Sequence, residues 1–245
     1  MSLDRLRYEF RLMGGKVLWT PVLVMLGFAL FALLLIRIHT SPGRFLAASL
    51  EMSLPLAAGV VVATVISQDA AIELQLTLPR KYHLTAMLRL LLIVGWTICI
   101  AVVSDRVLAA LKFEYMPAQM QSWVTPFQYL TLQLVWFAPL LWFVGFGLCL
   151  ALLLRSRTAS GALLGGIWIM EIIFKDYLAL TPWLRPVLLF PTTLIFYPQP
   201  IILQDIFDLW FANHFQVLLT ALVLLPLGWL LLRNPEGLLK GSSEE

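Results

Sequence analysis

Charge is scarce in this chain. Aspartate, glutamate, lysine and arginine together make up 13% of the 245 residues, against about 25% in an ordinary soluble domain. So few charges cannot clothe a globular surface of this size, which excludes a water-soluble fold. Cysteine is almost missing as well. Cys99 and Cys149 each lie inside a long apolar run, with no CxxC pair and no histidine at ligand spacing. This excludes a disulfide scaffold and a thiolate metal centre, and both residues read as small buried hydrophobes. The three histidines, His39, His83 and His214, fall at the ends of apolar runs, where a surface imidazole is a better reading than a metal ligand or a base. Catalytic motifs are absent too: there is no HExxH and no GxSxG, and Gly14-Gly15-Lys16 is followed by Val17 rather than by the hydroxyl residue of a phosphate loop. No catalytic residue, metal site or cofactor is therefore assigned to the chain. The net charge of +3 does not point to nucleic acid, because the 17 basic residues are scattered in short clusters rather than gathered in one patch.

Hydrophobicity is what the sequence has in abundance: 60% of its residues and a mean hydropathy of +0.88. A bilayer core about 30 Å thick is crossed by about 20 apolar residues in a helix, and six runs meet that length. They predict spans over 17–36, 45–67, 84–104, 129–154, 161–180 and 214–232, an all-α integral membrane protein. Arg89, near one end of the third, can snorkel to the interface. Pro21, Pro55, Pro139 and Pro226 fall inside spans, where neighbours must satisfy the carbonyl groups they free. The first run is too long for the apolar core of a cleaved signal peptide, and Ile38-His39-Thr40-Ser41-Pro42 is a poor cleavage site. With both ends in the cytoplasm, the inner segments collect Arg5, Arg7, Arg11, Lys16, Arg80, Lys81, Arg89, Arg155, Arg157, Arg233 and Lys240. Only Arg37, Arg44, Arg106, Lys112, Lys175 and Arg185 fall outside, as the positive-inside rule requires. The 233–245 tail is then cytoplasmic and the location the cell's inner (plasma) membrane.

The uncharged stretch from Pro186 to Gln204 competes as a seventh span. Pro191, Pro198 and Pro200 favour instead a re-entrant or interfacial hairpin within an outer-face segment over 181–213. Trp183, Phe190, Phe196, Tyr197, Phe207, Trp210 and Phe211 suit that headgroup level. At the other extreme, Leu3, Leu6, Phe10 and Met13 recur at helical spacing among charged residues, predicting an amphipathic interface helix over 2–15. Glu171 is the one carboxylate near the middle of a span, and its expense in hydrocarbon makes it an intramembrane polar candidate, for substrate, for protons or for a structural hydrogen bond. Glu51, toward the outer end of its span, is less informative. Gly161 with Gly165, and Gly59 with Ala63, form small-residue pairs that permit close helix packing.

Between the second and third spans, the 68–83 segment carries Asp69-Ala70-Ala71-Ile72-Glu73-Leu74-Gln75-Leu76-Thr77-Leu78-Pro79, then Arg80-Lys81, with the third span opening at Leu84-Thr85-Ala86-Met87-Leu88-Arg89. Apolar and polar residues alternate from Ile72 to Leu78, but an isolated strand would leave its backbone unpaired. Two helical turns ended by Pro79 fit better. This acidic, leucine-rich loop resembles the coupling helix of type-2 permeases of ATP-binding-cassette (ABC) transporters. The resemblance implies a membrane permease, an exporter in direction, whose Ile72, Glu73, Leu74, Leu76, Leu78, Pro79, Arg80 and Lys81 bind a separate ABC ATPase. ATP and magnesium would sit on that ATPase, and a second permease half, the same chain or another, would complete the path. An N-terminal interface helix, six spans, a cytoplasmic coupling helix and short outer-face elements between spans five and six belong to the same layout, which places the subunit contact near spans one and five. Two other classes remain open: an intramembrane lipid-modifying enzyme with Glu171 as base, and a membrane scaffold that transports nothing.

Overall fold

The computed structural model describes Glu9 and residues 13–38, 42–67, 82–111, 120, 122–192 and 206–233, and within them the chain is helical with no strand. The helices are α1 (Gly15–Arg37), α2 (Gly43–Ala48), α3 (Leu54–Ser67), α4 (Tyr82–Ala110), α5 (Thr125–Leu154), α6 (Arg157–Leu180) and α7 (Ile206–Leu232). A π turn over Ser49–Ser53 joins α2 to α3, and a 3-10 turn over Arg185–Val187 follows α6. Among the described residues five segments are long and apolar enough to cross a membrane: Val17–Arg37, Phe45–Ser67, His83–Ala110, Thr125–Leu154 and Phe207–Leu232. By length and composition this is a multi-pass helical membrane protein. The run expected as a further span over 161–180 is helical within α6, but Glu171, Lys175 and Asp176 interrupt its apolar character and it is not one of the five.

Several helices outrun the apolar stretches that announced them. α4 continues to Ala110 rather than Ser104, α5 starts at Thr125 rather than Tyr129, and α7 starts at Ile206 rather than His214. Apolar length reports the thickness of hydrocarbon, whereas a helix continues until a cap or a proline stops it. At α5 the stop is clear: Val124 is extended and a proline occupies the first turn. Phe207, Trp210 and Phe211, expected on an outer-face hairpin, therefore lie in α7.

α5 is the axis of the bundle. Two thirds of its most apolar window, 67%, is buried, against 11% for α1. Gly59 of α3 and Gly147 of α5 make this possible. A Cβ on Gly59 would stand 2.7 Å from the carbonyl oxygen of Phe143, and one on Gly147 would stand 2.6 Å from that of Gly59, so the two backbones touch where neither residue has a side chain. Gly59 thus serves a close contact, and Ala63, one turn on, is buried in the core. Gly161 and Gly165 face open space within the chain, with nothing near a built Cβ. From α5 the chain turns back at once: Arg155 takes a left-handed conformation (φ 51°), and the Ser156 side chain accepts from the Ala159 N–H at 3.3 Å, capping α6.

At the end of the bundle where α1 and α4 begin, Arg89 Nε donates to Glu9 Oε2 at 2.9 Å, with both side chains buried. Arg89 thus enters an ion pair rather than snorkelling away, and it ties the N-terminal segment to α4. Of Leu3, Leu6, Phe10 and Met13, only Met13 lies within the described residues, where it is helical and packs on the core. Residues 2–8 and 10–12, all of 68–81 and the tail beyond Arg233 lie outside them.

The Gly59 contact makes a direct test. Gly59→Ala should lower stability by about 1–3 kcal/mol, the cost of overpacking against a backbone that cannot yield. Gly95→Ala, at a site where a Cβ meets nothing, should be neutral or stabilising by helix propensity. Thermal unfolding of the two purified variants in one detergent reads the difference.

Candidate functional site

A cluster of buried polar side chains from the π turn Ser49–Ser53, α6 and α7 gathers around Leu188–Thr192, and a proline initiates it. Pro55 has no N–H to give the carbonyl of Glu51, and its ring crowds that same carbonyl, four residues earlier. The helix widens there into the π turn Ser49–Ser53, whose buried residues are Ser49, Leu50, Glu51 and Met52. Glu51 is wholly inaccessible, with a relative exposure of 0%. Its Oε1 accepts the backbone N–H of Thr192 at 3.1 Å and stands 3.8 Å from Nε2 of His214.

His214 sits on the buried stripe of α7, with Trp210, Val217 and Ala221 at helical spacing. Its Nδ1 donates to the Trp210 carbonyl at 2.7 Å. The indole of Trp210 donates to Thr192 Oγ1 at 3.0 Å, and its ring meets the His214 ring edge-on with centroids 4.7 Å apart. Beside it, Asn213 Nδ2 donates to the Arg185 carbonyl.

Glu171, singled out from the sequence, completes the arrangement. It lies on a narrow buried stripe of α6 with Ser160, Leu164 and Leu178, and its Oε2 accepts the Leu189 N–H at 3.0 Å. The two carboxylates therefore grip the same short segment, Leu188–Thr192, which is irregular through Phe190, turns at Pro191 and is buried throughout. Between the two grips Phe190 stacks on Phe143 of α5, centroids 6.0 Å apart and planes 9° apart. This segment opens the uncharged Pro186 to Gln204 stretch; residues 193–205 lie outside the described residues.

Glu171 stands out in the sequence for the cost of a carboxylate in hydrocarbon, and the structure buries it. Glu51 and His214 do not stand out, because each lies near the end of an apolar run, yet both are buried here. The periodicity of Trp210, His214, Val217 and Ala221 was the available clue, since it puts the imidazole on the same face as the core residues. The ATPase-binding candidates, Ile72, Glu73, Leu74, Leu76, Leu78, Pro79, Arg80 and Lys81, lie outside the described residues.

Chemically, the cluster offers a carboxyl and an imidazole 3.8 Å apart, and both are buried among the described residues. No group of three potential ligands gathers to hold a metal ion among the described residues. A separate cleft of about 570 Å³ opens between α1 and α4. Its walls include Met25, Ala29 and Leu33 on one side and Cys99, Ile100 and Val103 on the other, with no carboxylate, imidazole or cationic side chain among them, so it offers mainly van der Waals contact to hydrocarbon. No family model, curated protein or solved structure matches the chain.

The grip predicts an asymmetry. Glu171→Ala leaves the Leu189 N–H buried without a partner and should lower stability by about 1–3 kcal/mol, whereas Glu171→Gln keeps an acceptor oxygen and should lose much less. Thermal denaturation of both variants in lipid nanodiscs distinguishes them; equal losses would mean that the Leu189 contact contributes little.

Proposed function

We propose that this chain is the permease subunit of an ABC transporter, an exporter, working as one of two membrane halves driven by separate ATPase subunits. The observation that carries the reading is the leucine-rich loop Ile72–Leu78 with Pro79 and the Arg80-Lys81 pair, set between one membrane-crossing segment that ends at Ser67 and another that begins at His83. On this reading the loop is a cytoplasmic helix that seats its leucines under the bundle and offers Glu73 and the basic pair to the ATPase. The 2–15 interface helix lies on the inner leaflet, and α6 makes a sixth crossing that leaves both ends cytoplasmic.

Two structural features support it. The buried Glu9–Arg89 pair joins the N-terminal segment to the helix that follows the loop, so a push on the loop is transmitted to both. α1 and α6 carry large unpartnered apolar faces, among them Leu23, Leu30 and Leu34, and Ile169, Ile173 and Phe174, which suit a second permease half and surrounding lipid. Nucleotide binding at the ATPases would then favour one of two packings of the halves and switch the exposed side of the path.

The experiment is purification of the tagged full-length chain from its native membrane, with identification of the bound partner. A co-purifying subunit that carries a phosphate loop is the expected result. Glu73→Lys, Leu74→Asp and Leu78→Asp should each weaken that association by about 2–5 kcal/mol, tenfold in affinity for each 1.4 kcal/mol or so. Lys240→Ala, in the tail, should leave it intact. Loop variants that keep full partner binding and full ATP turnover in lipid would sink the permease reading.

A further inference from the structure

Six buried side-chain atoms have no hydrogen-bond partner among the described residues, and four of them belong to the residues around the gripped segment: Glu51 Oε2, Glu171 Oε1, Asn213 Oδ1 and His214 Nε2. In a water-poor interior such atoms are costly, so their convergence requires an explanation. The ring of His214 supplies one. Its Nδ1 faces a carbonyl oxygen, which can only accept, so Nδ1 carries a hydrogen whatever the charge on the ring. Nε2 is then the nitrogen that titrates, and it is the one 3.8 Å from Glu51 Oε1.

Two protonation patterns are unfavourable there. An ionised Glu51 beside a neutral imidazole leaves a lone negative charge in an apolar interior, and a protonated Glu51 beside an imidazolium leaves a lone positive one. A single proton held by the pair, on either group, avoids both. Among the described side chains no other charge stands at ion-pair distance from Glu51. α1 carries its bases at Lys16 and Arg37, near its ends, and α2 carries Arg44 in its first turn. On α4, Arg89 pairs with Glu9, Asp105 accepts from Gln133, Arg106 stacks over Tyr129 and His83 meets the Trp229 ring. α5 contributes only Tyr129 and Cys149 as titratable groups. From α6 come Arg157, Glu171, Lys175, Asp176 and Tyr177, and beyond it Arg185 donates to the Ala179 carbonyl. α7 adds Asp208 before His214, and Arg233, which lies over Trp229, follows the helix. Among the described residues His214 is the group at ion-pair distance from Glu51.

We propose that Glu51 and His214 form a proton-binding site, occupied by one proton between them, and that this proton latches the Leu188–Thr192 segment inside the bundle. The two groups titrate as a unit. Losing the proton at high pH leaves the carboxylate uncompensated, gaining a second at low pH leaves the imidazolium so, and in either case the favourable outcome is for the segment to loosen and admit water. The latch is tightest between these limits. Nothing in this requires an ATPase, so it stands or falls separately from the permease reading.

The test is hydrogen exchange of the peptide over 187–192, in full-length protein held in nanodiscs of phosphatidylcholine and phosphatidylglycerol, across a pH series and corrected for intrinsic exchange. Its amides include the two that Glu51 and Glu171 accept. Wild type should show maximal protection at an intermediate pH, falling on both sides by up to about tenfold per pH unit, the slope of one-proton linkage. Glu51→Gln has no proton to lose and still offers an acceptor to Thr192, so it should keep its protection at high pH. His214→Gln forms no imidazolium and should keep its protection at low pH. The series is repeated with Glu171→Gln as background, so that titration of the second carboxylate is not mistaken for that of the first. A flat wild-type profile, or a high-pH fall that survives in Glu51→Gln, overturns the proposal. Should Glu51→Gln fail to insert, wild type and His214→Gln still decide: a low-pH fall that persists in the latter overturns it equally.

Discussion

Backbone that is not helical has no water to turn to inside an apolar bundle, and at Leu188–Thr192 the carboxylates of Glu51 and Glu171 take water's place. Each accepts one N–H of the segment; Pro191, between them, has none to offer. Buried irregular backbone is tolerated only where its polar groups find partners, and here they come from two carboxyl groups far apart in sequence. Those two contacts hold the segment inside the bundle, where Phe190 stacks on Phe143.

The helices reach that arrangement through packing that has little to do with polarity. Gly59 and Gly147 let α3 and α5 approach to backbone contact, which fixes the height of the π turn just before α3. Pro55 opens that turn, and the widened helix holds Glu51 inward among otherwise apolar neighbours. On the opposite side, the left-handed Arg155 and the Ser156 cap reverse the chain abruptly into α6. That reversal sets which face of α6 carries Ser160, Leu164 and Glu171 toward α5 and α3. Small residues and a proline thus position the charged ones.

The helical, membrane-crossing character was legible because it depends on local quantities: apolar length, scarce charge and prolines. Glu171 was legible for the same reason, being a carboxylate with apolar residues on either side. Glu51 and His214 were not, because their importance comes from a contact across 163 positions of chain, and each looked like a boundary residue in its own window. Helix ends are not legible from apolar length: α7 begins at Ile206, ahead of the uncharged run that starts at His214, because a helix continues until a cap or a proline stops it. Arg89 was visible as a charge in a span, but its partner Glu9 lay in a segment read as an interface helix with a polar outer face.

The choice of chemical groups in the cluster is itself informative. As a plain acceptor for a backbone N–H, glutamine would serve without the cost of burying an ionisable group. The fold uses an amide where a neutral contact suffices: Asn213, next to His214, donates its Nδ2 to the Arg185 carbonyl. At Glu51 it uses a carboxyl instead, and it places against it the one side chain whose ordinary charge change falls near neutral pH, with the orienting nitrogen already committed to Trp210. A carboxyl and an imidazole so arranged do something two amides cannot: they make the grip on Leu188–Thr192 depend on a proton.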